Sequence, residues 1–473
     1  MRCGARTHFD LTLTHPFVKF GTAVVVILAT VLFFLPPPSG YSVQTMHAGA
    51  LCLLVIGLWA LGSLAEHIVA LLFFLLAMLF AIAPSSVVFS GFASGTLWLV
   101  LGGLILAEAV NHTGLGVRFA RVLIGRRALS YRALIGAVVL VCSLMCVVMP
   151  ATVTRILLLL PIMAAVAHRL GIKAGSVGYD GVALAVIMAN YQVGTAFLPA
   201  NAPNLVLAGA AETLYGLTFI YGEWLLVQLP VMGIMKALLI IGLIWLLFPD
   251  ETRAVETQEA QSRMSPDEKR LTVILLIAVV LWATDFLHGI HPGWIGLGAG
   301  LATLMPAIGV MPVASFTERV KLTPFFYIAA ILGLGALMVD SGLSRALGEA
   351  LQSGLRLKSG QDAINFGILT LLSTATGAVV TNVAQPALLA PLASHFAEAT
   401  GWPLKAALMT IVLGFTTAVF PFQVPPMLVG VQVAGLRLRR VLRLTVPLAG
   451  VSLLVLLPIN YFWWRAIGYF GNQ

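Results

Sequence analysis

Stretches of about 20 apolar residues recur along most of this 473-residue chain, the length an α-helix needs to cross a hydrocarbon core roughly 30 Å thick. Water is absent from such a core, so each segment must satisfy its own backbone hydrogen bonds, which leaves helices as the spanning element here. The composition agrees: 60% of residues are hydrophobic and 10% charged, where a soluble domain carries about 25% charged residues. Apolar segments at 18–35, 47–63, 66–83, 96–112, 181–207, 223–248, 271–288, 294–313, 325–342, 404–430 and 441–464 read as spans. The expected fold class is therefore an all-α polytopic membrane protein with about 11 transmembrane helices.

Two further apolar stretches, 133–168 and 363–400, are interrupted by VVMPATVTR and AVVTNVAQP. Each reads as a helix, a break at membrane depth and a second helix. The proline-bearing sequences Pro199–Asn204 and Pro421–Pro426 mark breaks inside two of the spans. Irregular backbone at that depth exposes amides and carbonyls at several kcal/mol each, and it is tolerated where it lines a cavity inside the protein.

The two halves of the chain echo each other. WLVLGGLILAEAVNHTGLG (98–116) resembles FFYIAAILGLGALMVDSGLS (325–344), PATVTRILLLLP (150–161) aligns with VTNVAQPALLAP (380–391), and LPANAPNLVLAG from 198 pairs with FPFQVPPMLVG from 420. Five crossings separate the fourth and ninth spans, and each interrupted stretch adds none or two. An odd number of crossings inverts the second copy, the arrangement of many secondary transporters whose substrate site lies at the repeat interface. The expected organisation is a segment 1–45 holding a cytoplasmic start and the first span, a first repeat 46–249, a cytoplasmic linker 250–270 and a second repeat 271–473. The linker, DETRAVETQEAQSRMSPDEKR, has the charge mixture of a solvated connection.

Cytoplasmic loops are enriched in Lys and Arg. With the N-terminus inside, the inner loops hold Arg118, Arg121, Arg126, Arg127, Arg132, Arg169, Lys173, Arg253, Arg263, Lys269, Arg270, Arg319, Lys321, Arg437, Arg439, Arg440 and Arg443, together with Arg2, Arg6 and Lys19. Outer loops hold Arg345, Arg356, Lys358, Lys405 and Arg465. The expectation is a bacterial-type inner-membrane protein, N-terminus in and C-terminus out. The N-terminal MRCGARTHFDLTLTHPFVKF runs into an apolar stretch ending in FLPPP with no small-residue cleavage pattern, so it reads as a retained first span.

The net charge of +9 would suggest a nucleic-acid partner in a soluble protein, but its concentration in membrane-flanking loops argues for lipid and against nucleic acid. Cys3, Cys52, Cys142 and Cys146 have neither metal spacing nor a disulfide pattern, so no transition metal is expected. An ATP-driven pump would need a Gly-x-x-x-x-Gly-Lys-Ser/Thr loop, and an intramembrane protease a His-Glu-x-x-His or Gly-x-Ser-x-Gly motif; the chain has none of these. No filter sequence of a channel occurs either. The reading is a transporter driven by an ion gradient, with no enzymatic activity and no organic cofactor.

The breaks concentrate the chemistry. Ala151, Thr152, Val153, Thr154 and Arg155 bring hydroxyls, a cation and a helix N-terminus to the first interruption; Thr381, Asn382 and Val383 do the same, without a cation, at the second. Half-helix N-termini suit an anion and exposed carbonyls suit sodium. The same residues also serve to satisfy backbone groups at kinks, and their symmetric clustering favours the functional reading. Arg155 is an intramembrane cation, a functional candidate by default. Lys236 and Glu108, also within spans, read as facing protein or water rather than substrate.

LGGLILAEAVNHTGLGVRFA, GEWLLVQLP and NAPNLVLAG resemble the glycine-rich fourth helix, the Glu-Trp entry to the sixth helix and the broken fifth helix of the divalent anion/sodium symporter family, which includes carriers of dicarboxylates, citrate and sulfate. The resemblance covers nearly the whole chain after the first span. The family's two Ser-Asn-Thr triplets fall on Ala151, Thr152 and Val153 and on Thr381, Asn382 and Val383, of which Asn382 alone is identical; Met427 stands where a second asparagine follows Pro425 and Pro426. The resemblance implies two re-entrant helical hairpins carrying these tips, a homodimer, and elevator-like motion of a transport domain. It also implies sodium symport of a small divalent or multivalent anion, with proton coupling or anion exchange as the alternatives. By this resemblance the substrate would meet Thr152, Val153, Thr154, Arg155, Thr381, Asn382, Val383 and Pro425. Sodium, the coupling ion, would meet Ala151, Thr152, Ala200, Asn201, Asn204, Thr381, Asn382 and Gln423.

Overall fold

A computed structural model describes residues 16–124, 129–149, 151–252 and 263–471. Cys3, Pro150, Arg126, Arg127 and the linker residues 253–262, Arg253 included, lie outside the described residues. Within them the chain is helical, with no strand. Among the described residues seven helices are long and apolar enough to cross a membrane: Val43–Leu61, Gly95–Thr113, Thr152–Arg169, Tyr221–Leu247, Thr323–Asp340, Asp362–Val379 and Leu438–Ala466. Val18–Phe34, Glu66–Leu79, Tyr131–Val147 and Leu404–Phe415 are apolar but shorter.

Several expected spans are reshaped. The segment read as 181–207 is helical from Val177 to Met188, then opens through a π-turn and two 3-10 turns before helix Ala202–Tyr215. The segment read as 404–430 is likewise two pieces, Leu404–Phe415 and Pro425–Val433. Proline explains both: Pro199, Pro203, Pro421 and Pro425 each lack the N–H that would continue the ladder. The segment read as 294–313 is helical only over Pro292–Ala302, and the chain then turns back so that Val310 N–H reaches Thr303 O.

Polar contacts sort the loops to two ends. At one end Arg118 pairs with Glu268 at 2.7 Å, Ser176 donates to Asp250 at 2.9 Å, Arg440 pairs with Asp180, and Arg319 lies 3.8 Å from Glu108. At the other, Lys405 pairs with Glu223 at 2.6 Å, Glu212 accepts from Ser94 and Gly95, Tyr221 N–H reaches Asp285, and Trp402 reaches Asp362. Gly95–Thr113 therefore runs toward the first, Arg-rich end, and Thr323–Asp340 runs away from it. Both turn at a glycine with positive φ, Gly114 at 73° and Gly342 at 74°, into amphipathic helices Leu115–Ile124 and Leu343–Leu355. A side chain with a Cβ would be strained at either corner.

The interrupted stretches form two hairpins. The first, Tyr131–Val148 and Thr152–Arg169, opens and closes at the Arg-rich end, where Trp245 donates to Arg132 O. The second, Asp362–Val379 followed by Ala384–Leu389 and Ala393–Thr400, opens and closes at the other end. Each tip packs on the break of a discontinuous helix, so each hairpin stops midway along the molecule. These are re-entrant hairpins of opposite direction, as inverted repeats require.

Close helix contacts hold this frame. Gly95–Thr113 and Pro292–Ala302 approach so nearly that a Cβ on Gly102 would lie 2.3 Å from Gly296 O. Small residues allow such approach in lipid, where association depends on packing rather than on expelling water.

Candidate functional site

The first tip begins where helix Tyr131–Val148 ends and leaves Met149 O without an intrahelical partner. Thr152, the first residue of the returning helix, donates to Ala200 O at 3.0 Å and makes a short hydrogen bond with Asn201 Oδ1. Both acceptors belong to the first break, so the hydroxyl ties tip to break. One turn on, Arg155 is fully buried. Its Nε donates to Asn190 Oδ1 at 3.0 Å, Nη1 to Ala200 O at 3.1 Å and to Met149 O, and Nη2 to Asn190 O at 2.9 Å and Thr152 Oγ1 at 3.2 Å. A guanidinium has five N–H groups, and these five contacts use them all. No carboxylate pairs with it among the described residues.

The second tip uses other chemistry at the same positions. Asn382 N–H donates to Gln423 O at 2.8 Å, and its side-chain amide donates to Phe415 O at 2.7 Å and Tyr191 OH at 2.5 Å. Tyr191, from the first break, itself donates to Phe415 O in the second at 2.9 Å, so this hydroxyl links the two repeats. Gln423 donates to Gly377 O at 2.7 Å and accepts from Val419 and Phe420 N–H. Gln385 donates to Ser373 O at 2.7 Å. Because each amide nitrogen of Asn382 and Gln385 is aimed at a backbone carbonyl, which cannot donate, the amide oxygens must point the other way. Asn382 Oδ1 and Gln385 Oε1 are both buried without a hydrogen-bond partner. They flank the point where a Cβ on Gly377 would sit, 3.4 and 2.6 Å from it.

A second cation stands behind this break. Lys236 is fully buried and its Nζ donates to Thr416 O at 2.6 Å, just past the C-terminal end of helix Leu404–Phe415, where a positive charge is favoured. Glu108 lies near the Arg-rich end beside Arg319, remote from the tips.

The structure thus gathers Thr152, Arg155, Ala200 and Asn201 at one tip and Asn382 and Gln423 at the other. Asn204 is buried nearby, its nitrogen donating to Thr195 O and Phe197 O and its Oδ1 without a partner. Thr381 caps the turn that starts Ala384–Leu389. Ala151, Thr154, Val383 and Pro425 are half-buried, and Val153 is exposed on the outer face of its helix. Sequence reasoning missed Asn190, Tyr191, Phe415 and Gln385. Gln385 was within reach: the repeat alignment that pairs Thr152 with Asn382 also pairs Arg155 with Gln385.

Residues 17–470 match the family described as the sodium:sulfate symporter transmembrane region. The chain belongs to that family. As a member it is a multi-pass inner-membrane transporter of anions, moving its cargo rather than transforming it. Similar proteins include a membrane protein of Cupriavidus necator, 24% identical over 96% of this chain and 93% of that protein, and an uncharacterised transporter of Haemophilus influenzae, 24% identical over 93% and 97%. The L-tartrate/succinate antiporter of Escherichia coli is 25% identical over 56% of this chain and 57% of its own length. Among solved structures, the YdaH transporter of Alcanivorax borkumensis matches 96% of this symporter-family chain and 99% of its own with a TM-score of 0.55 at 15% identity, and MtrF of Neisseria gonorrhoeae matches 94% of each chain at 0.51 and 14%. At those identities they share its fold.

Proposed function

We propose that this chain is a secondary carrier of small anions bearing two or more negative charges, first di- or tricarboxylates such as citrate, then sulfate, coupled to sodium. One observation carries the reading: Arg155 and Lys236, both fully buried, meet only neutral oxygens among the described residues, at the two breaks. Charge buried without a counter-charge is costly, and a divalent anion between the tips would relieve it. The N-termini of Thr152–Arg169, Ala202–Tyr215 and Pro425–Val433 face the same breaks and favour negative charge there. Sodium is supported by the unpartnered oxygens of Asn382 and Gln385, hard donors that suit a small cation.

The test is melting of the purified protein with succinate, tartrate, citrate and sulfate, each with sodium and with choline. Stabilisation by divalent anions, greater in sodium, is expected; stabilisation only by neutral solutes or cations would remove the anion reading. Exchange is a second reading, favoured by fixed cations that an empty carrier would have to move unneutralised and by the antiporter among the relatives. Proteoliposomes loaded with succinate decide it: exchange requires internal anion for uptake and ignores the sodium gradient. The homodimer, the elevator motion, the repeat boundaries at 46–249 and 271–473 and an inward-facing N-terminus belong to the same proposal.

A further inference from the structure

The two tips are related by the repeat, yet the oxygens around Arg155 are all partnered by its guanidinium, leaving Asn204 Oδ1 nearby as a single unpartnered oxygen, while at the second tip two amide oxygens face the same point without a partner. Around Arg155 stand two carbonyls released by helix breaks, Met149 O and Ala200 O, the carbonyl of Asn190 in the π-turn, one amide oxygen and one hydroxyl. All five acceptors are neutral oxygens from segments that meet at the tip. That is the ligand chemistry of a hard monovalent cation: released carbonyls supplemented by amide and hydroxyl oxygens. At the equivalent position of the second repeat stands Gln385, which brings no charge, and there two amide oxygens remain unpartnered. Lys236 does not fill that gap: its ammonium is committed to Thr416 O and makes no hydrogen bond to Asn382 Oδ1 or Gln385 Oε1.

We infer that Arg155 is a tethered cation occupying the ion position of the first hairpin tip, so that no more than one mobile cation, at the second tip, accompanies the anion. The inference deepens the proposed function and rests on its reading of the tips as ion sites. Thr152, Ala200 and Asn201 are then ligands of the guanidinium or of each other, and not of sodium. A covalently held charge cannot dissociate, so the first tip keeps its affinity for anions at any sodium concentration. Sodium dependence then has a single component, and the carrier moves one fewer positive charge per cycle than a chain with mobile ions at both tips.

Equilibrium binding of radioactive sodium to the purified full-length protein, without anion present, separates this inference from the anion reading. No more than one sodium per chain is expected, with a Hill coefficient near 1; two per chain overturns the inference whatever anion is carried. A chemical-rescue arm tests the residue itself. Arg155→Gly, prepared in choline buffer, is expected to lose tenfold or more of its succinate affinity. Millimolar guanidinium should restore it, high sodium should restore part of it, and neither should change the wild type. A variant whose affinity and melting temperature respond to guanidinium and sodium no more than to choline overturns the tethered-cation role and leaves Arg155 a packing residue. If Arg155→Gly does not fold without guanidinium and folds with it, that recovery supports the role; if it folds in neither, the sodium stoichiometry of the wild type decides.

Discussion

Tyr191 shows how much a single hydroxyl can organise when helix breaks leave carbonyls unsatisfied. It donates to Phe415 O and accepts from Asn382, binding the first break to the second tip. Tyr191→Phe should cost about 1 kcal/mol, with up to 3 kcal/mol if Phe415 O is left short of donors; thermal melting reads the loss, and an unchanged Tm would show that the hydroxyl bridge is dispensable. Asn382→Ala removes the oxygen assigned to sodium and both amide donors. Its expected signature is joint loss of sodium binding and of anion affinity; a folded variant that binds both as the wild type does would place the site elsewhere.

Glycine decides the closest helix packing. Gly102→Ala would drive a methyl group to 2.3 Å from Gly296 O and 2.4 Å from its carbonyl carbon, backbone atoms that cannot rotate aside. Overpacking of this kind costs about 1 to 3 kcal/mol, so the purified variant should melt several degrees lower. Gly242→Ala is the matched control, because nothing lies within 4 Å of the added methyl and alanine is the better helix former by roughly 0.5 to 1 kcal/mol. Equal melting of the two variants would show that the Gly102 contact does not hold the helices together. The hairpins obey a different rule: their tips lie between Val148 and Thr152 and between Val379 and Ala384, where their helices end and begin, and their depth is set by the hydrogen bonds of the tips to Ala200, Asn201 and Gln423.

At the scale of the whole molecule, the ion pairs divide the loops between two ends, and most of the described basic loop residues lie at the end that holds Arg118, Arg319 and Arg440. The positive-inside tendency predicts that this end faces the cytoplasm. A single cysteine at Glu251, in a background with Cys3, Cys52, Cys142 and Cys146 replaced, should resist an impermeant thiol reagent applied to intact cells, and a cysteine at Lys358 should react. The opposite labelling pattern would reverse the orientation.

The all-helical membrane class, the breaks, the re-entrant stretches and the inversion of the halves were legible in the sequence because they depend on local properties. Hydropathy over 20 residues marks a span, proline and polar residues mark where its ladder fails, and parity of crossings follows by counting. Thr152, Arg155, Asn382 and Gln423 could be named for the same reason, since each sits at such a failure. In spans 181–207 and 404–430 proline marked a break, but hydropathy did not show that the helices already end at Met188 and Phe415, upstream of it. What the hydrogen-bond acceptors at the tips do was decided only in three dimensions. Arg155 meets Asn190 from 35 residues away and Asn382 meets Tyr191 from 191 away, and no periodicity encodes such meetings. Residue type shows that Arg155 carries a charge and Asn382 an oxygen; tertiary packing alone commits every donor of the first to neutral oxygens and leaves the oxygen of the second free.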